Sequence, residues 1–210
     1  MASLKTRFVL LAISVIGLGI TLGTALWLKL GPGPEVARWE QKPLEGLNRY
    51  GAVPDFVLVE RSGKSMSLAD LRGAVWIADF IYTSCQDTCP LQTAEMARLQ
   101  EQLLGKTGVK LVSISVDPEK DTAQVLSQYA ARYKADSDRW LFLTGAKDQI
   151  TQLVQEGFRL SAGSVEAGVI LHSPRFVLVD KETQIRGYYD SRDAEALQRL
   201  RKDVATLLNG

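Results

Sequence analysis

Both cysteines of this 210-residue chain lie in one short stretch, Cys85-Gln-Asp-Thr-Cys89-Pro90, at a predicted strand-to-helix junction. Upstream, Val75-Trp-Ile-Ala-Asp-Phe-Ile-Tyr82 is a run of β-branched and aromatic residues that reads as a buried strand. Downstream, Leu91, Met96, Leu99, Leu103 and Leu104 recur at helical spacing, and Pro90 suits the first helical position, where its missing N–H costs nothing. The pair therefore straddles a helix start, whose unpaired N–H groups and positive dipole end favour thiolate over thiol. A disulfide between them would close a loop of about five residues and stabilise the fold by only roughly 2 kcal/mol before strain. That is a weak structural reason for the pair, so its chemistry carries the reading, with a structural disulfide as the bland alternative in an oxidising compartment.

The front of the chain is different in kind. Phe8 to Leu28 carries no charged side chain and, as a helix rising about 1.5 Å per residue, spans roughly 30 Å, the thickness of a bilayer core. Lys5 and Arg7 precede the span, which keeps the tip in the cytoplasm and sends the rest across. A cleaved signal peptide has an apolar region of about 7–15 residues ending in a small-x-small site, and nothing around Ala25 to Leu30 fits one well. The expected organisation is a cytoplasmic tip at 1–7, a transmembrane anchor at 8–30, a linker at 31–50 and one folded domain at 51–210. Gly31-Pro-Gly-Pro34 breaks the anchor helix and opens the linker. The formal net charge of +1 excludes the basic excess of a nucleic-acid binder. No Arg- and Ser-rich transit segment precedes the anchor, which points to a bacterial inner membrane with the domain on the periplasmic or extracytoplasmic side.

Within the domain, Phe56 to Val59 and Ser65 to Leu68 read as a short hairpin about the Arg61-Ser-Gly-Lys64 turn, ahead of the Val75 strand. A helix from about Pro90 to Leu104 stops at Gly105, and Val109 to Val116 is the next strand. Thr122 to Tyr133 is helical with Asp121 or Thr122 as N-cap; Trp140 to Leu143 is a strand; Asp148 to Glu156 is helical and ends at Gly157. Arg175 to Val179 and Ile185 to Tyr189 are strands joined by a turn at Lys181-Glu-Thr183, and Ala194 to Leu208 is an amphipathic helix. This order is that of an α/β thioredoxin-like sandwich with a central mixed sheet, in which the strand ends that feed helices converge on one edge.

His172, the only histidine, lies in the loop before the Arg175 strand. A single histidine beside Leu171 is more often a packing residue than a ligand, but in thioredoxin-like folds this loop lies against the cysteine loop. Two thiolates and one imidazole suit Cu(I), whereas zinc normally takes a fourth ligand, which a carboxylate or water would have to supply. Asp117 and Asp121 read as a turn followed by a helix cap in preference to partners tuning the site. Asp87, between the cysteines, reads equally as a solvated loop carboxylate, and Met96 as core.

The segments Asp79-Phe-Ile-Tyr-Thr-Ser-Cys85 to Cys89-Pro90, Ser113-Ile-Ser-Val-Asp-Pro-Glu-Lys-Asp-Thr122, and Leu171-His-Ser173 ahead of Phe176-Val-Leu-Val-Asp180 together resemble the Sco/SenC family. Those proteins are membrane-anchored, thioredoxin-like copper chaperones. The resemblance implies Cys85, Cys89 and His172 as ligands of a copper ion, Cu(I) or Cu(II). It also implies a role in delivering copper to, or reducing the thiols of, the dinuclear copper centre of a cytochrome c oxidase subunit. A second copper chaperone or a thiol reductant is the implied further partner. Gln86 and Thr88 depart from the proline and β-branched aliphatic residue that the family often has there. The alternative is a thiol–disulfide oxidoreductase in which Cys85 attacks and Cys89 resolves the mixed disulfide. A peroxidase is weaker, because the Tyr82-Thr-Ser-Cys85 loop lacks the expected upstream proline.

Overall fold

The computed structural model describes residues 46–86, 88–160 and 174–209. The chain divides into two units, Met1–Lys42 and Pro43–Gly210, and the expected 8–30 anchor lies in the first, outside the described residues. Among the described residues no helix is long and apolar enough to cross a membrane.

The second unit begins with β1 (Gly51–Ala52), β2 (Val57–Glu60), β3 (Ser65–Ser67), a 3-10 turn (Leu68–Leu71) and β4 (Val75–Ile81). It continues with α1 (Thr88–Gln102), β5 (Val109–Ser115), α2 (Ala123–Arg132), β6 (Trp140–Thr144) and α3 (Lys147–Gln152), which runs into a π turn (Leu153–Gly157). Strands β7 (Arg175–Val179) and β8 (Gln184–Asp190) and helix α4 (Ala194–Asn209) complete it. The strands form one mixed sheet in the order β1-β8-β7-β4-β5-β6-β2-β3. β4, β5 and β6 are parallel neighbours, while β7 runs antiparallel to β4 on its other side.

Every residue of β4 is buried, as its unbroken apolar run requires of a strand covered on both faces. Alternation along the strand sends Val75, Ile77 and Ile81 to one face and Trp76, Ala78 and Phe80 to the other. The first face packs under α1, α2 and α4 through Met96, Leu99, Leu126, Tyr129, Leu200 and Val204. The second is closed by Phe56, Leu68, Leu71, Ile150, Leu153 and Phe158. The cysteine helix thus lies on a sheet whose central strand has no wet side.

Several expectations shift in detail. Helix α1 begins at Thr88, two residues before Pro90, but Pro90 remains in the first turn, where an N–H has no intrahelical partner. Leu91 is 65% exposed and Leu104 66%, so neither belongs to the apolar face that Met96, Leu99 and Leu103 bury. Leu91 is rotated about 140° from Met96 at 100° per residue, and Leu104 follows the end of the helix. The Asp148 to Glu156 helix is α-helical only to Gln152 and then widens into the π turn ending at Gly157. Strand β1, two residues long, is an element that the apolar pattern does not announce.

Candidate metal and thiol site

The chain leaves β4 at Ile81 and makes a turn in which the Cys85 N–H donates to the Tyr82 carbonyl, 3.2 Å away. Helix α1 follows at Thr88, which leaves the Cys89 N–H among the first-turn donors without a helical acceptor. Its partner is the Cys85 Sγ, at 3.5 Å. The two sulfur-bearing residues are thereby held side by side, Cys89 fully buried and Cys85 8% exposed, with no disulfide joining them. For Cys89 burial wins over the helix start: its thiol is pushed up to about 12, first by desolvation and further by Cys85 and Asp79.

Behind Cys89 a buried polar thread fixes the helix. Thr93 Oγ1 lies 2.8 Å from the Cys89 carbonyl, to which it donates, and 2.9 Å from the Tyr129 hydroxyl of α2. One turn into α1, the Gln92 Nε2 donates to the Arg175 carbonyl at 3.4 Å, which ties the cysteine helix to the first residue of β7. The antiparallel register, Trp76 with Val179 and Ala78 with Val177, likewise sets the start of β7 beside the end of β4.

Asp121 is not the cap of α2. Thr122 is, with its side chain accepting from the Val125 N–H. The fully buried Asp121 carboxylate turns toward the cysteine loop: Oδ2 accepts from the Thr83 N–H at 3.0 Å and the Ser115 hydroxyl at 2.6 Å. Oδ1 accepts from the Thr83 hydroxyl at 2.5 Å. Asp117 stays in the expected turn, its carbonyl accepting from the Lys120 and Asp121 N–H groups and its carboxylate 3.2 Å from Lys120 Nζ.

Asp79, between Ile77 and Ile81, is fully buried on the helix-covered face. Neither of its carboxylate oxygens has a hydrogen-bond partner among the described residues. Desolvation pushes the group up to about 7, an effect that the neighbouring Ser113 hydroxyl offsets only in part. The sequence carried a signal for it, a single acid inside an otherwise apolar strand run. Thr83, Thr93, Gln92 and Ser115 carried none, because common polar residues acquire meaning only from partners distant in the chain.

Cys85 and Cys89 are therefore together, as expected. His172 and Asp87 lie outside the described residues. Among the described residues no group of three potential metal ligands forms.

The SCO1/SenC family model matches residues 46–209. A SCO1 protein homolog of Bacillus subtilis (strain 168) is 34% identical over 155 residues, which cover 72% of this chain and 80% of that protein. A relative in Stutzerimonas stutzeri, named provisionally as a copper-binding protein, is 33% identical over 147 residues, 68% of this chain and 71% of its own. Among solved structures, BsSco, described as a member of the Sco family of cytochrome c oxidase assembly proteins with a disulfide switch, superposes with a TM-score of 0.69 at 32% identity. That match covers 79% of this chain and 97% of BsSco. With a family match that runs from the entry of the sheet to the last turn of α4, the chain belongs to the SCO1/SenC family.

Proposed function

We propose that this protein binds copper through Cys85, Cys89 and His172 and acts as a membrane-anchored metallochaperone for cytochrome c oxidase. It delivers copper to the dinuclear site of an oxidase subunit or prepares that site by reducing its thiols. The observation that carries this reading is the pairing of two buried cysteines by the Cys89 N–H to Cys85 Sγ bond at a helix start. Two thiolates and an imidazole form a soft, low-coordinate donor set that suits Cu(I) better than zinc. His172 precedes Arg175 by three residues, a chain length of about 10 Å at full extension, and Arg175 is bonded to the cysteine helix through Gln92. The relatives named for copper binding and oxidase assembly favour the same cargo and the same target. The uncharged Phe8 to Leu28 stretch supports a single-pass anchor, with the folded domain on the extracytoplasmic side.

The test is copper titration of the full-length reduced protein. One copper per chain is expected; Cys85→Ser and Cys89→Ser lose it, and His172→Ala retains Cu(II) poorly. Undiminished Cu(II) retention by His172→Ala removes that residue from the site.

Thiol–disulfide exchange is favoured by the exposure difference between the two cysteines, 8% for Cys85 against 0% for Cys89, which suits attack by the first and resolution by the second. In this case His172→Ala leaves exchange with an oxidised partner peptide unchanged.

A further inference from the structure

Cys85 lies in a loop that hydrogen bonds of regular structure do not fix, yet a dithiol or copper site needs its sulfur held to a fraction of an ångström. The residue that meets this need is Asp121, 38 positions away from Thr83 in sequence. Its carboxylate takes both donors of Thr83, N–H and hydroxyl, and the Ser115 hydroxyl at the end of β5. Ser115 Oγ is in turn fixed by the Asp117 N–H at 3.1 Å. Two further backbone bonds frame the same corner, Val116 N–H to the Ile81 carbonyl at 2.8 Å and Asp121 N–H to the Asp117 carbonyl at 2.9 Å. A fully buried carboxylate with three charge-assisted hydrogen bonds is a stiff joint, because such bonds are short and about twice as strong as neutral ones. Thr83 is two residues before Cys85, inside the Tyr82 to Cys85 turn, so the joint acts at the base of the loop that aims the Cys85 sulfur.

We propose that Asp121 is the positioning residue of the thiol site: through Thr83 it fixes Cys85 relative to Cys89 and thereby sets copper affinity and the dithiol–disulfide balance. This rests on Cys85 and Cys89 being the copper and thiol site. It gives the Asp-Pro-x-x-Asp segment a function apart from capping α2, a task that Thr122 performs.

The experiment compares full-length wild type with Asp121→Asn, Thr83→Val and Thr83→Ser. Asn keeps the shape of the carboxylate but has one acceptor oxygen; Val removes only the hydroxyl; Ser keeps both donors of Thr83. Three quantities are measured at a temperature where all four proteins are folded. The first is Cu(I) affinity by competition with a chromophoric Cu(I) chelator. The second is the equilibrium in which the Cys85–Cys89 dithiol and oxidised glutathione form the intramolecular disulfide and two reduced glutathiones. The third is the unfolding midpoint of the metal-free protein. Asp121→Asn and Thr83→Val are expected to lower Cu(I) affinity roughly 10–100-fold, the range for removing partners that orient ligands, and to shift the glutathione equilibrium. Thr83→Ser is expected to match wild type in both. A purely structural role lowers the unfolding midpoint and leaves affinity and equilibrium at wild-type values, and that result in either folded variant overturns the proposal. Should wild type bind no copper, the copper assignment fails by itself and the glutathione equilibrium alone decides the role of Asp121. If Asp121→Asn does not fold, the contrast between Thr83→Val and Thr83→Ser decides it.

Discussion

Asp79 of β4 is registered directly against Ser113 of β5, yet the Ser113 Oγ takes a hydrogen bond from the Trp140 indole N–H at 2.9 Å and the carboxylate remains without a hydrogen-bond partner among the described residues. Free of the fold, this acid ionises near its ordinary value of 3.8; in the fold it ionises near 7. Between those values the folded chain holds a proton that the unfolded chain has lost. The group therefore lowers stability progressively as pH rises from about 4 to about 7, with the full penalty above that range. The shift corresponds to a penalty on the order of 4 kcal/mol. Asp79→Asn is expected to flatten this part of the pH–stability curve and to be the more stable protein at pH 8. Urea unfolding of both proteins at pH 4.5 and pH 8 checks it; parallel pH dependences would show that Asp79 does not titrate across this range.

The two cysteines are expected to differ sharply towards an alkylating agent. Cys89 is fully buried and its thiol is pushed up to about 12, whereas Cys85 has an exposed edge. Iodoacetamide at pH 8, with peptide mapping by mass spectrometry, should label Cys85 in the native reduced protein and reach Cys89 only when denaturant is added. Equal labelling of both under native conditions contradicts the described burial.

Helix α1 offers a packing contrast within six positions. Met96 is fully buried against β4 and α2, so Met96→Ala is expected to cost roughly 2–5 kcal/mol. Leu91, 65% exposed, is expected to stay within about 0.5 kcal/mol of wild type as Leu91→Ala. Denaturant midpoints for the two variants test this. Equal losses would mean that Leu91 is covered in solution.

What the sequence discloses follows from how far each interaction reaches. The unbroken run of β4, the Thr122 cap and the Arg175 and Ile185 strands are local patterns, and the structure has them at or within a residue or two of their expected places. The cysteine pair at a helix start is equally local. Asp121 reads in the sequence as a helix cap, a task that Thr122 performs, because its actual partner Thr83 lies at another strand's exit and no periodicity connects the two. β1 is held by backbone pairing of Gly51 with Ile185 and Ala52 with Gln184, which leaves no side-chain signature. Leu91 and Leu104 fit the helical spacing only loosely: Leu91 lies inside the helix but about 140° around it from Met96, and Leu104 lies beyond its end at Gln102.

The antiparallel pairing of β4 with β7 has a kinetic consequence. Trp76 pairs with Val179, a loop of about a hundred residues whose closure has to precede any reward from the contact. A chain made from its N-terminus onward contains Cys85 and Cys89 long before β7 exists. The strand that follows His172 joins them only as the sheet is completed. For the proposed Cys85, Cys89 and His172 set, copper capture would thereby be coupled to a late stage of folding, because an unfinished chain holds two sulfurs without the imidazole that the finished one is proposed to add.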